Sequence, residues 1–372
     1  MTSQEHLDAL IALLHGWHER HRSGVDGAPN CEWPSGLVSL ADRHGLLPVL
    51  HAANTGTRLH GWKRQNDLRM LGLAAETVRL SYALERVGIP VLSLKGAAIA
   101  QSLYGDFGFR QATDVDLIVA VEDAPAAIEF LRSQGYLLEL SVGHLSSAEI
   151  AACNTEIPLS HPHRGVEVDL HWGIAPRHSP HWVDPAFLWR KTARTALCGR
   201  PVAVPGPEAL LIFLAVHGAR HVWERLIWAV DIAMLLAGNP GMDWAWIDEF
   251  ARRHSLQAVI SLALEVAHRA TGCAVRHTAN PLTDRAARIV GATWASENAP
   301  GTRETLRLTA LLTSSRYRLG RHVLGLAARP TESDWRVARL SGAYLPLYRL
   351  IRAGRLLGRA FTASNYLERQ TR

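Results

Sequence analysis

Lysine is scarce in this chain of 372 residues: of its 40 basic residues only Lys63, Lys95 and Lys191 are lysines. Positive charge is carried almost wholly by arginine, so a lysine beside a motif stands out as a compact point charge. Cysteine is scarce as well. Cys31, Cys153, Cys198 and Cys273 lie far apart, which matches neither a zinc ribbon nor a redox pair and leaves them as reduced, packed thiols. No charge-free run of about eighteen apolar residues occurs, which argues against a membrane-spanning helix. Met1-Thr2-Ser3-Gln4-Glu5-His6 offers neither a basic start nor a cleavable apolar core, so the expected location is cytoplasmic. Acids thin out late in the chain, where from Arg316 onward twelve arginines face only Glu332, Asp334 and Glu368. Leu, Val and Tyr interleave with these arginines at helical spacing, so they read first as amphipathic helices with solvated basic faces. An anionic partner (nucleic acid, acidic lipid or leader peptide) is the second reading. No recognised nucleic-acid-binding module accompanies them, which weakens a tRNA or polymerase role.

What is present is enough apolar material, 48% of the residues, to bury a sizeable core in two or three subdomains. Apolar residues recur at helical spacing at Leu7, Leu10, Ile11 and Leu14 and again from Leu37 to Leu50. Residues 1–84 therefore read as an N-terminal helical lobe. A helix from Ala74 to Val87 is stopped by Gly88-Ile89-Pro90, which launches a strand from Val91 to Leu94. A strand around Asp114 to Val119, a helix from Pro125 to Gln134 and a strand from Tyr136 to Leu140 follow. Glu156 to His161 and Val166 to Trp172 then form a hairpin across Pro162-His163-Arg164-Gly165. The expected fold class is α+β, with a mixed-sheet core at residues 85–205. Past Pro205-Gly206-Pro207 the periodicity is helical through residue 372, with helices at Glu208 to His217, Trp223 to Ala237, Trp244 to His254 and Leu256 to Ala270.

The chemistry concentrates in the core. Side chains alternate across a strand, so Asp114 and Asp116 in Thr113-Asp114-Val115-Asp116-Leu117-Ile118-Val119 share a face, about 6–7 Å apart at Cα. Two carboxylates on one edge suit a divalent cation such as magnesium. A two-metal site needs a third acid, and Val166-Glu167-Val168-Asp169-Leu170-His171-Trp172 offers one on a neighbouring strand. Asp169 is preferred as that ligand, although Glu167 and His171 share its face.

Leu94-Lys95-Gly96, Leu103-Tyr104, Arg110, Asp114-Val115-Asp116-Leu117, Val168-Asp169-Leu170-His171-Trp172 and the stretch from His217-Gly218-Ala219-Arg220-His221 through Trp228 and Asp231 carry a resemblance spanning about residues 90–235. They resemble the polymerase-beta-type nucleotidyltransferase superfamily, and within it the bacterial family often labelled uncharacterised nucleotidyltransferase. The resemblance implies a mixed sheet with flanking helices. It also implies transfer of a nucleoside monophosphate from a nucleoside triphosphate to a hydroxyl of a small molecule, peptide or protein, with release of pyrophosphate. Asp114, Asp116 and Asp169 would be the catalytic and metal-binding acids for two magnesium ions, which manganese can replace. Lys95, Gly96, Arg110, His217 and Arg220 would contact nucleotide, phosphate or acceptor; the alternatives are a solvated strand end for Lys95 and, for Arg110, a salt bridge orienting Asp114 or Asp116. Asp231 reads as a buried hydrogen-bond partner between helices, and His161 and His163 as the only other histidines near the site.

Two departures from the superfamily stand out. Its usual Gly-Ser is here Gly96-Ala97, so a phosphate-binding hydroxyl is missing, and backbone amides at the following helix start must serve instead. The gap to Asp114 is also longer, leaving Gly105-Asp106-Phe107-Gly108-Phe109 as an expected flexible insertion. The missing hydroxyl keeps a second reading open, a nucleotide-binding or scaffold protein without turnover.

Overall fold

The structure is a computed structural model that describes residues 2–23, 33–53, 59–138, 142–276 and 280–356. Cys31, the end of the expected strand at 139–140 and the arginines beyond 356 lie outside these. Four helices, α1 (Ser3–Ser23), α2 (Ser35–Arg43), α3 (Leu47–Ala53) and α4 (His60–Arg86), precede the sheet. The core then runs β1 (Val91–Ser93), α5 (Gly96–Tyr104), β2 (Asp114–Val119), α6 (Ala124–Ser133), β3 (Leu137–Leu138), α7 (Ser147–Cys153), β4 (Glu156–His161) and β5 (Val166–His171). After α8 (Phe187–Arg190) comes a hairpin of β6 (Thr192–Leu197) and β7 (Arg200–Pro205). The rest is helical: α9 (Pro207–Arg220), α10 (Leu226–Gly238), α11 (Trp244–His254), α12 (Gln257–Thr271), α13 (Pro281–Ala295), α14 (Thr302–Leu312), α15 (Arg316–Ala328) and α16 (Glu332–Trp335).

The five-stranded sheet has the order β1-β2-β5-β4-β3, and β6 and β7 form a sheet of their own. Only the β2–β5 pair is parallel, which a crossover through α6 makes possible. The α+β class with a mixed sheet and flanking helices is therefore what the chain adopts. One buried apolar cluster runs from Leu7 through the sheet residues Leu117 and Leu170 to Tyr348, and α1 packs on α12 as well as on α2. Among the described residues no helix is long and apolar enough to cross a membrane.

The β6–β7 hairpin escaped the sequence reading because Thr192-Ala193-Arg194-Thr195-Ala196-Leu197 alternates only weakly in hydrophobicity. Its two-residue turn, Cys198-Gly199, has positive φ at both positions (49° and 73°), which suits the right-handed twist of a hairpin. Cys198 is consequently exposed, unlike buried Cys273 and half-buried Cys153, so it is not the packed thiol expected.

The segment 105–109 is not a flexible insertion either. Gly105 closes α5 at φ 72°, and Phe107–Phe109 forms one 3-10 turn capped by the Asp106 side chain, which accepts from the Gly108 amide at 2.8 Å. Phe109 stacks on Tyr104 and Trp17, with ring centroids 4.9 and 5.5 Å away. Buried Asn66 donates to the carbonyls of Gly108 (3.0 Å) and Arg110 (3.1 Å). Aromatic burial and satisfied backbone groups hold the loop in one conformation.

Arg110, at the end of that turn, points to α10 and not to the acids. Its guanidinium lies 3.0 Å from Asp231, which is fully buried and also accepts from the Tyr104 hydroxyl at 2.7 Å. Asp231 thus joins α5, the 3-10 turn and α10. Nearby, Gly218 of α9 is required by close approach, because a Cβ there would sit 2.4 Å from the buried Trp223 indole.

Removing one partner of a buried ion pair strands the other charge. Asp231→Ala should therefore lower unfolding stability by about 3–5 kcal/mol, and Tyr104→Phe, which removes one hydrogen bond, by about 1 kcal/mol. Urea unfolding monitored by tryptophan fluorescence measures both. Equal, small losses in the two variants would show that the Arg110 pair does not anchor the turn.

Candidate active site

Parallel pairing of β2 with β5 sets Asp116 opposite Asp169 and Asp114 opposite Glu167. By the strand period of two, Asp114, Asp116, Glu167, Asp169 and His171 project from one face, while Val115, Leu117, Val168 and Leu170 are buried on the other. The β4–β5 hairpin extends that face by one strand, with Glu156 opposite His171 and Pro158 opposite Asp169. Asp114 and Asp169 are half-buried, Asp116 is buried, and Glu167 is exposed.

A chain of alternating charge crosses this face. The Lys95 ammonium lies 2.7 Å from Asp116 Oδ1. His171 Nε2 is 3.1 Å from the same oxygen, and its Nδ1 is 3.1 Å from Glu156 Oε2. Arg220 of α9 closes the chain with two bonds to Glu156, at 2.6 and 3.4 Å. Lys95 reaches Asp116 because the Leu94 amide continues the β1–β2 ladder onto the Asp116 carbonyl (3.1 Å). Gly96, at φ 66°, then turns the backbone directly into α5, a conformation that favours glycine.

These contacts divide the three aspartates. Burial works to raise the Asp116 pKa, but Lys95 and His171 hold it below the ordinary carboxylate range. Burial likewise opposes the charge on Lys95, yet Asp116 raises its pKa. In His171 the bonds to Asp116 and Glu156 overcome burial and push the pKa up to about 9, so the ring is an imidazolium at neutral pH. Glu156 is held low against burial by His171 and Arg220. Asp114, by contrast, is raised to about 6 by burial and then by repulsion from Asp116 and Asp169. Asp169 is raised by burial and by Asp116. Two carboxyls thus stay above the ordinary range, with burial the larger cause and Lys95 and His171 relieving only part of the like-charge repulsion.

That arrangement fits a divalent cation. Ligand atoms of Asp116, Asp169 and His171 lie within 4.8 Å of one another, and carboxylate oxygens suit a hard ion. Both His171 ring nitrogens lie 3.1 Å from a carboxylate oxygen, of Asp116 and of Glu156, so the ring orients these acids as well as standing among the candidate ligands, and Asp114 shares the same sheet face.

Of the other residues expected at the site, Lys95 and Gly96 adjoin the acids. Arg220 reaches them through Glu156 and His171. His217 packs its ring against Trp228 and His221, with centroids 4.9 and 4.7 Å away, and burial, then the charge of Lys95, keeps it neutral. Arg110 is committed to Asp231 and is absent from the acid face. His161 and His163 lie at the turn end of the hairpin, where His161 packs on Tyr136, so neither is near the acids. The reading from sequence missed Glu156, although the hairpin itself contains the signal: a turn at 162–165 pairs 161 with 166 and hence 156 with 171.

A protein-family model described as uncharacterised nucleotidyltransferase matches residues 31–272, which include every strand and the helices from α2 to α12. No curated protein and no solved structure matches the chain.

The different surroundings of Asp114 and Asp116 give opposite pH linkage. Asp114, with a folded pKa above its ordinary 3.8, imposes a penalty that grows as pH rises from there and is complete above about 6. Asp116, with a depressed pKa, contributes stability above 3.8 that is lost only as pH falls through its folded value. At pH 7.5 with EDTA, Asp114→Asn should therefore stabilise the fold by about 1–2 kcal/mol after allowance for solvent screening. Asp116→Asn should cost about 3 kcal/mol or more by stranding Lys95 and His171. Denaturant unfolding of the two variants decides the matter, and a shared sign would contradict this division of the acids.

Proposed function

Since the chain belongs to the uncharacterised nucleotidyltransferase family and so is a nucleotidyltransferase, we propose that it moves a nucleoside monophosphate from a nucleoside triphosphate onto a hydroxyl of a small-molecule, peptide or protein acceptor, releasing pyrophosphate. The observation that carries this reading is the single sheet face on which Asp114, Asp116 and Asp169 converge, two of them with raised pKa values. Two magnesium ions, or manganese in their place, held by these three acids would supply Lewis-acid polarisation of the α-phosphate and activation of the acceptor hydroxyl.

The protein's own groups divide the remaining work. The outer phosphates meet the free amides at the start of α5, which replace the missing serine hydroxyl. Lys95, at the N-cap of that helix and in contact with Asp116, offsets charge building on the leaving pyrophosphate. Asp169, more basic than an ordinary carboxylate, takes the proton of the acceptor hydroxyl as its oxygen bonds to the α-phosphorus and the bond to pyrophosphate breaks. His171 and Glu156 keep Asp116 ionised and oriented. Arg220 fixes Glu156 and acts through it. Arg110 has a structural task instead.

Asp114→Asn and Asp169→Ala should each reduce magnesium-dependent transfer by about a hundredfold or more, read as a mass shift of one nucleoside monophosphate on the acceptor and as pyrophosphate release. Asp169→Ala should retain most nucleotide affinity in calorimetry, because Asp114 and Asp116 remain. Exposed Glu167, two residues nearer the turn of the β4–β5 hairpin, should be replaceable by Ala with only a mild effect. The reverse order of damage, in variants of matched melting temperature, would move the third acid to Glu167.

A further inference from the structure

The acid face does not end at Asp169. Glu156 and Pro158, the cross-strand neighbours of His171 and Asp169, line a cavity of about 420 Å³ that is completed by Arg220 and by Arg329, Trp335 and Arg352 from the C-terminal helical region. That volume suits a small organic ligand. Strands in a sheet are about 4.8 Å apart, so an occupant would lie one strand from Asp169. It would stand on the opposite side of the acids from β1 and the start of α5, where the triphosphate is placed above.

The walls hold more hydrogen-bond donors than acceptors. Three arginines line it beside one acid, Glu156, which is already paired with Arg220 and His171, while Arg352 stands 3.8 Å from Asp334 and donates to Thr331 and the Leu326 carbonyl. Arg329 donates to the Cys153 carbonyl at 3.1 Å and forms no ion pair among the described residues. It also borders a neighbouring cavity of about 400 Å³ that Arg177 and Arg349 line. Trp335 is 7% exposed, and its indole Nε1 has no acceptor; the Nε of Arg352 has none either. Leaving buried donors without acceptors is costly. A bound group rich in acceptor oxygens would satisfy them.

We propose that this cavity is the acceptor subsite and that the acceptor carries an anionic group, phosphate or carboxylate, held by Arg329 and Arg352, with its hydroxyl directed toward Asp169. This deepens the transferase reading above and rests on it. It also gives the arginines of the C-terminal helices a task, since guanidinium groups suit both oxyanions through paired donors.

Calorimetry of the full-length protein with inorganic phosphate and with acetate, in the presence and absence of magnesium and a saturating nucleoside triphosphate, provides the test. At least one anion should bind, and the tighter of the two identifies the group. Arg329→Gln should weaken that binding at least tenfold, Arg352→Gln should weaken it in the same direction, and Arg288→Gln, on the exposed face of α13, should leave it unchanged. The triphosphate should not displace the anion. Binding of neither anion, indifference to both cavity-arginine substitutions, an equal loss in Arg288→Gln, or displacement by triphosphate would each overturn the acceptor subsite. Failure of the transferase reading looks different: no nucleoside triphosphate binds with magnesium and no pyrophosphate is released, whatever the anions do.

Discussion

Almost everything at this site follows from one buried carboxylate. Asp116 is 4% exposed, and an isolated ion at that depth would cost several kcal/mol or would take up a proton. It stays ionised because two cations converge on it, Lys95 from the start of α5 and His171 from β5. His171 is a cation because Asp116 and Glu156 each face one of its ring nitrogens, and Glu156 is held by Arg220. The ladder registers that align β1, β2, β5 and β4 are therefore electrostatic requirements as much as hydrogen-bonding ones.

Compensation is fullest at Asp116 and Glu156, and this division gives the face its chemical character. Those two acids are held ionised by the protein's own cations, while Asp114 and Asp169 are half-buried and only partly relieved. A site relieved at every position would be stable and inert. Here the fold tolerates incompletely compensated charge, and its apolar cluster on the far side of the sheet offsets the cost.

Much of this was legible in the sequence, and the losses have physical causes. The Asp-x-Asp period and the turn at 162–165 sufficed for the shared face and the hairpin, because alternation and turn chemistry are local properties. That β5 lies beside β2 also followed, since Asp169 is useful only beside Asp116, whereas the parallel sense of the pair became visible only in the structure. Arg110 could not be assigned this way: its partner Asp231 is 121 positions away on α10, and a basic residue near two acids looks the same whether or not it turns toward them. The 105–109 segment resembled a loose loop because Gly105 and Gly108 were visible, whereas the rings of Trp17 and Tyr104 that confine Phe109 come from other elements. In β6 the alternating partners are alanine and threonine, too small and too similar in polarity to mark a strand.

The charge chain also constrains the order in which the molecule can mature. His171 and Asp116 are 55 residues apart, and Glu156 and Arg220 are 64 apart, so the contacts that make Asp116 tolerable are non-local and carry a loop-closure entropy cost. Until α9 docks, Glu156 has no guanidinium, His171 loses part of its reason to hold a proton, and the sheet carries an excess of negative charge that resists compaction. Competence to gather the acids is thereby tied to completion of the helical layer behind them. An unfinished or clipped chain would lack the strand register that brings these carboxylates onto one face.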